Sequence, residues 1–126
     1  MATYEASVTR GFTADHSLRL PDGRQEEPHQ HVWRVTACFR SRQLQEPMGV
    51  VIDFIEVQNV LNSILGELDG RDLNLLPAFA DGRCSAERVA EHLAGRLAGL
   101  LPAHPLYRLS ITEAPGCIAS YYPTGA

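Results

Sequence analysis

Two histidines suited to metal binding stand at the entrance of a strand-like run, in the stretch EEPHQHVWRV at residues 26–35. His29 and His31 are two residues apart, and because side chains alternate along a strand, both point to the same face. That face is shared by four apolar residues, Trp33, Val35, Ala37 and Phe39. Such a pair also occurs by accident in polar loops, so both interpretations stay open.

A third histidine strengthens the metal interpretation. His16 continues the parity of Val8 and Phe12 in the preceding strand-like segment. If the two strands pair, three imidazoles converge at one end of the sheet, and three histidines plus water form the open arrangement of a catalytic zinc. From the residues alone, a metal site and an accidental pattern in a polar loop both remain open interpretations. His92 and His104 are interpreted as surface or packing residues.

An acidic residue falls on the apolar parity of a later strand. Tyr107, Leu109 and Ile111 alternate with polar residues, and Glu113 continues their series. An inward carboxylate costs free energy unless it is paired or hydrogen-bonded. Either the strand has already ended and Glu113 is solvated, or Glu113 accepts two hydrogen bonds from the N–H groups of a planar ligand.

The whole chain has the composition of a single globular domain, residues 1–126. Its net charge of −4 argues against a general nucleic-acid binder. The N-terminus has no apolar signal core, and no apolar run is long enough to span a bilayer. Three widely spaced cysteines form neither a disulfide framework nor a CxxC site, which favours a reducing cytoplasm: Cys38, Cys84 and Cys117.

The order of elements is expected to be ββααββ, an α+β domain with helices on one face of an antiparallel sheet. Asp53 is expected to cap the first helix, with Glu56 completing a capping box, and Ser85 to cap the second. The strands are expected at Thr3 to His16, Val32 to Arg40, Tyr107 to Glu113 and Ile118 to Tyr122.

Six blocks in this order resemble the 6-pyruvoyl-tetrahydropterin synthase family, which includes the 6-carboxy-tetrahydropterin synthases. They are FTADHSL, HQHVWRV, MGVVIDF, LDGRDLN, SAERVAEHLAGRL and LSITEA. The resemblance implies a tunnelling fold in which ring-like trimers stack into a homohexamer with sites between subunits. It also implies that His16, His29 and His31 bind Zn²⁺ and that Glu113 binds the N–H edge of a pterin.

The resemblance fails at the family's proton-transfer residues. Gln25 stands near the position of the family's cysteine, and Gly70 replaces the histidine that follows Asp69. General acid–base catalysis needs a group of suitable pKa within hydrogen-bond reach, which glutamine and glycine lack. Glu26 and Glu27 are candidate substitutes, because a subgroup of the family uses glutamate there and cleaves the dihydroneopterin side chain.

Each substitute also has a plain structural interpretation. The two glutamates are otherwise solvated loop charges, and Asp69 either acts as a base or caps its loop. The expected function is therefore a zinc-dependent lyase acting on the side chain of 7,8-dihydroneopterin or its triphosphate. The alternatives are a non-catalytic pterin- or purine-binding homologue, and a standard 6-pyruvoyl- or 6-carboxy-tetrahydropterin synthase with a rewired base.

Overall fold

A computed structural model describes residues 2–124 of the chain. Residues 1, 125 and 126 of the expected domain lie outside the described residues. The elements are β1 (Tyr4–His16), β2 (His29–Ser41), α1 (Phe54–Gly66), α2 (Ala86–Leu100), β3 (Leu106–Ala114) and β4 (Cys117–Tyr121). Two short 3₁₀ turns, Leu73–Leu75 and Pro77–Phe79, interrupt the loop between the helices. This confirms the expected ββααββ order.

The four strands form one antiparallel sheet in the order β1-β2-β3-β4, with both helices on one side. The β1–β2 register ends with His16 opposite His29. Strand β2 begins at His29, three residues before the predicted start, so both of its histidines belong to the strand. The predicted convergence of three histidines at one end of the sheet is therefore the geometry that strand pairing produces.

The core lies between the helices and the inward face of the sheet. Trp33, Val35 and Ala37 are fully buried there, as their parity predicts. Helix α1 contributes Val57, Leu61 and Ile64, whereas Phe54 at its start is 49% exposed although it shares the apolar stripe.

Side-chain caps begin both helices as predicted, but the expected capping box is not formed within residues 2–124, since the Glu56 carboxylate accepts from His104 Nε2 at 2.7 Å. The Asp53 carboxylate accepts from the backbone N–H groups of Ile55 and Glu56, and the Ser85 hydroxyl accepts from that of Arg88. These bonds satisfy donors that the first helical turn leaves unpaired. No helix within residues 2–124 is long and apolar enough to cross a membrane.

Candidate metal and substrate site

The end of β1 and the start of β2 bring the predicted ligands together. One donor atom from each of four residues, His16, His29, His31 and Glu113, lies within 4.8 Å of all the others. The carboxylate arrives from β3 on the far side of β2. Glu113 therefore faces inward, and its side chain is 26% exposed.

His16 is held in one orientation. Its side chain is fully buried, and its ring packs edge-on against Trp33 with centroids 4.7 Å apart. Its Nδ1 donates to the Cys84 carbonyl oxygen at 2.7 Å. A carbonyl only accepts, so Nδ1 carries the hydrogen and Nε2 of the neutral ring presents a lone pair to the site.

That Nε2 lone pair meets a second acceptor. The Glu113 Oε1 atom lies 2.6 Å from His16 Nε2, and Nε2 has no hydrogen-bond partner within residues 2–124. Two lone-pair atoms at this distance repel each other unless a positive charge lies between or beside them. A buried, unbonded imidazole nitrogen beside a carboxylate is a donor set suited to a cation.

His29 and His31 complete the set. His29 Nδ1 donates to the Glu27 carbonyl oxygen at 3.3 Å, which leaves its Nε2 free in the same way as in His16. Burial lowers the pKa of His31, against the opposing effect of the Glu113 charge, and this favours the neutral ring that binds metals. Imidazole nitrogens suit zinc.

The donor atoms lie close enough together for one ion to contact several of them. The distance from His31 Nε2 to Glu113 Oε1 is 3.5 Å, and His16 Nε2 lies 2.6 Å from the same oxygen. Zinc takes nitrogen and oxygen ligands at about 2.0–2.2 Å, and a donor set of this size and chemistry would suit such an ion.

Two supports of His16 were not predicted from the sequence. The Asn74 amide accepts from the backbone N–H of Ser17 at 2.8 Å and donates to the Ser17 carbonyl oxygen at 3.1 Å. These two hydrogen bonds fix the backbone at Ser17, immediately after His16. The Cys84 carbonyl fixes its ring, while burial raises the pKa of the Cys84 thiol to about 12, so that thiol stays protonated. The LDGRDLN block contained Asn74 as the only signal.

Glu26 lies beside the cluster, and Glu27 faces solvent. The Glu26 carboxylate accepts from the backbone N–H of Leu18 at 2.9 Å, and its Oε1 lies 3.8 Å from His29 Nδ1. Its side chain is 27% exposed. Glu27 is exposed and contributes its carbonyl to His29. Of the two candidate bases, Glu26 has the fixed carboxylate near the donor cluster.

Asp69 and Gly70 bind the backbone of β1 at a point distant from the histidine–carboxylate cluster. The Asp69 carboxylate accepts from the backbone N–H of Thr13 at 2.9 Å, and Gly70 N–H donates to the Thr13 carbonyl oxygen at 2.7 Å. Thr13 precedes His16 by three residues, which corresponds to about 10 Å along a strand. In this structure Asp69 therefore accepts from the backbone of β1, rather than from its own loop as one interpretation had it, and its role as a base stays a prediction.

The Gln25 side chain makes hydrogen bonds that hold neighbouring loops together. Its amide donates to the Ser17 hydroxyl at 2.8 Å and to the Gly82 carbonyl oxygen at 3.1 Å. Gly82 has φ +80°, and a Cβ there would lie 2.7 Å from the Gln25 amide oxygen. The glutamine therefore joins two loops around His16, a role that needs an amide and no titratable group.

A groove of about 450 Å³ opens next to the cluster, between the separating ends of β2 and β3. Its lining includes His31, Glu113 and Arg34. The remaining lining residues are Gln30, Val32, Thr112, Ala114 and Pro115. The donor cluster is thus accessible to a small molecule from this side.

Comparison with known proteins identifies relatives over nearly the whole chain. The family model described as 6-pyruvoyl tetrahydropterin synthase matches residues 5–124. The fold is similar to 6-pyruvoyl tetrahydropterin synthase of Caenorhabditis elegans, with a TM-score of 0.83, 20% identity and coverage of 97% of this chain and 96% of that one. The Plasmodium vivax enzyme gives a TM-score of 0.74 at 17% identity, with coverage of 96% and 98%. An uncharacterized protein of Wolinella succinogenes gives 0.69 at 20% identity, with coverage of 98% and 99%.

A search of curated protein sequences finds no match. At these identities the structural likeness establishes the α+β tunnelling fold, with its four-stranded sheet and two helices on one side.

Proposed function

Because the chain belongs to the 6-pyruvoyl tetrahydropterin synthase family, we propose that it is a zinc-dependent enzyme acting on the side chain of 7,8-dihydroneopterin or its triphosphate. The observation that carries the proposal is the cluster of three inward histidines with a carboxylate, in which the buried His16 Nε2 has no hydrogen bond. A dihydropterin offers both side-chain hydroxyls for a metal and ring N–H groups for a carboxylate.

The proposed roles follow from the positions of the side chains. His16, His29 and His31 hold Zn²⁺, which when bound polarises a substrate hydroxyl and favours its deprotonation. Glu113 binds the N–H edge of the ring, which requires its carboxylate to turn away from His16. Glu26 takes the hydroxyl proton, because its carboxylate is held 3.8 Å from His29 Nδ1. Glu27 and Asp69 are weaker candidates because both are exposed in this chain.

The reaction proposed is a retro-aldol cleavage. Loss of the 2′-hydroxyl proton makes that oxygen a carbonyl as the bond between C1′ and C2′ breaks. The electron pair passes from C1′ into the conjugated ring, and C1′ then takes up a proton. The products from dihydroneopterin are a hydroxymethyl-dihydropterin and glycolaldehyde, which together account for every atom. No oxidant is required.

The test is direct turnover. Zinc-loaded protein is incubated with 7,8-dihydroneopterin and, separately, with its triphosphate, and products are followed by mass spectrometry. Cleavage that is lost in Glu26→Gln and retained in Glu27→Gln is the expected result. No product from either substrate would reject the enzymatic proposal.

A second candidate function is pterin binding without catalysis. The specific observation that favours it is the pair of substitutions at the proton-transfer positions, where Gln25 is bound to Ser17 and Gly82 and Gly70 has no side chain. This candidate predicts tight dihydropterin binding that needs zinc and Glu113, with unchanged ligand recovered after long incubation. A standard synthase activity would instead give a 6-pyruvoyl or 6-carboxy product in the same assay.

We also propose that the protein is a homo-oligomer, a trimer or hexamer. Strands β1 and β4 are the two edges of the sheet, and an exposed edge offers unpaired backbone groups to another chain. Light scattering coupled to gel filtration measures this directly, and a monomer at micromolar concentration would contradict it.

A further inference from the structure

We propose that Trp33 is the positioning residue of the metal site, because its buried indole holds two of the three candidate ligands in place. The inference rests on the proposed function, since it concerns how the zinc ligands of that function are oriented. The indole is fully buried and meets the rings of His16 and His31 edge-on, with centroids 4.7 Å and 5.7 Å apart. One side chain therefore contacts ligands that two different strands supply.

The pairing of β1 with β2 explains how the indole reaches both ligands. Trp33 lies opposite Phe12 in the ladder, whereas His16 follows Phe12 by four residues, about 13 Å along the strand. Between them on the inward face lies Ala14, which is opposite His31. Alanine has only a methyl group, so the indole extends across that position toward His16. The residues FTADH of β1 thus provide the space that a tryptophan on β2 fills.

The indole is held at an edge and on a face. Its Nε1–H donates to the Ala14 carbonyl oxygen at 3.2 Å, and the Phe12 ring stacks on it with centroids 5.7 Å apart and planes 4° from parallel. Side chains in a close-packed interior sit in single rotamers, and a hydrogen bond at the edge of the ring adds a directional constraint. The indole is therefore a fixed surface against which the two imidazoles rest.

His31 depends on this surface more than the other ligands do. The rings of His16 and His29 donate through Nδ1 to backbone carbonyl oxygens, at 2.7 Å and 3.3 Å. The His31 ring instead has Glu113 Oε1 3.5 Å from its Nε2, with the rings of the other two histidines and Trp33 around it. In the proposed function Glu113 turns to the substrate, and the other two histidines hold the same ion. The indole is then the contact that still fixes the His31 ring.

Outer partners of this kind determine how well a site binds its metal. Their replacement typically lowers metal affinity about 10- to 100-fold, because the ligands are no longer oriented before the ion arrives. Trp33→Phe keeps an aromatic ring in the core, but the smaller ring has no N–H for the Ala14 carbonyl and extends less far toward His16. Ala14→Val leaves the indole intact and fills the space that it crosses. We expect both variants to bind zinc about 10- to 100-fold more weakly than the wild type.

Two metal measurements without any pterin test the proposal. Zinc affinity is measured by competition with a chromophoric chelator, and the visible absorption spectrum of cobalt-loaded protein reports the geometry of the ligands. We expect Trp33→Phe and Ala14→Val to change the cobalt spectrum as well as the zinc affinity.

Phe39→Leu is the matched control. Phe39 is a buried aromatic residue on the same strand and face, about 20 Å along the strand from Trp33, and its ring packs near His104. The zinc affinity of this variant should stay within about threefold of the wild type, with an unchanged cobalt spectrum, even where urea unfolding shows a loss of stability.

Trp33 is the only tryptophan of the chain, so its fluorescence reports on the site directly. Cobalt bound by the three histidines lies beside the indole, and we expect it to quench the emission of the wild type in step with the cobalt absorption bands. His16→Ala should remove that quenching at the same cobalt concentration. Cobalt that binds without quenching the emission would overturn the inference.

The variants give the remaining outcomes. A zinc affinity within about threefold of the wild type in either folded variant, with an unchanged cobalt spectrum, overturns the inference. An equal loss of zinc affinity in Phe39→Leu also overturns it, because the effect is then one of general core stability. Circular dichroism checks that Trp33→Phe is folded, and if it is not, Ala14→Val and the quenching of the wild type decide.

The turnover assay separates this inference from the proposed function. If Trp33→Phe weakens zinc binding but the wild type converts neither dihydropterin, the enzymatic proposal is wrong and the positioning role stands. If the wild type converts a dihydropterin and Trp33→Phe binds zinc as the wild type does, the enzymatic proposal stands and the positioning role is wrong.

Discussion

Glu113 has two possible roles at the site, and Glu113→Gln distinguishes them. The amide has nearly the same shape as the carboxylate but no charge, and it presents one acceptor where the carboxylate presents two. If Glu113 binds the N–H edge of the ring, the variant loses charge-assisted hydrogen bonds to the ligand. If Glu113 is a required metal donor, the variant loses the metal.

The structure sets the size of the expected effect. Hydrogen bonds to a charged group contribute about 1.5–3 kcal/mol each, and the Glu113 side chain is 26% exposed, which places the effect near the lower end. For two such bonds with partial compensation by the amide, we expect a loss of about 2–3 kcal/mol, a roughly 30- to 150-fold rise in the dihydropterin Kd. Metal affinity is expected to fall only about tenfold, because the three imidazoles remain.

Two titrations on the same protein measure both quantities. Zinc affinity is determined by competition with a chromophoric chelator, and dihydropterin affinity is then measured at saturating zinc. Glu87→Gln is the matched control, since Glu87 lines a hollow together with Glu113 but lies on α2 outside the donor cluster. A dihydropterin Kd within about threefold of wild type, or a zinc affinity lowered far beyond tenfold, would refute the ring-binding role.

Three further predictions concern support, acid stability and proton transfer. Asn74→Ala removes both hydrogen bonds to Ser17, so urea unfolding should show a loss of about 1–3 kcal/mol in the free energy of unfolding. Chelator competition should show a zinc affinity about tenfold lower. An unchanged zinc affinity would show that Asn74 does not support the metal-binding histidines. Burial and then the nearby Arg96 charge lower the pKa of His92 in the folded chain, so the neutral ring is favoured and folding stability declines as pH falls below about 6.5. His92→Gln should flatten that decline in urea unfolding between pH 8 and pH 5.5, and an identical slope would contradict the assignment. Glu26→Gln should lower kcat by about 100-fold or more with KM little changed, whereas an equal effect in Glu27→Gln would argue for a general loss of loop charge.

Strand parity predicted where the three histidines lie, and it left open whether they bind a metal. A period of two placed His29 and His31 with Trp33 on the buried face, and His16 was added by the same reasoning on β1. Parity placed Glu113 inward only on the condition that β3 continues to it, which the sequence left open and the structure shows. Its contact with His16 was not predicted, because it depends on where the ladder between β2 and β3 ends.

The supporting contacts were beyond prediction from sequence because they join distant loops through backbone atoms. The Cys84 carbonyl that fixes His16 is 68 residues away in the chain, and any residue at that position would present the same oxygen. The Asp69 carboxylate likewise binds a backbone N–H 56 residues away. Periodicity reports which face a side chain occupies, and it carries no information on which loop lies over that face.

The dependence of dihydropterin binding on zinc tests the central claim most directly. The claim is that one site holds the side chain through a metal bound by His16, His29 and His31, and the ring through Glu113. Calorimetry with 7,8-dihydroneopterin under anaerobic conditions compares chelator-treated and zinc-loaded wild-type protein. We predict that zinc tightens binding at least about tenfold and that His16→Ala abolishes this gain. Equal affinity with and without zinc would contradict the account.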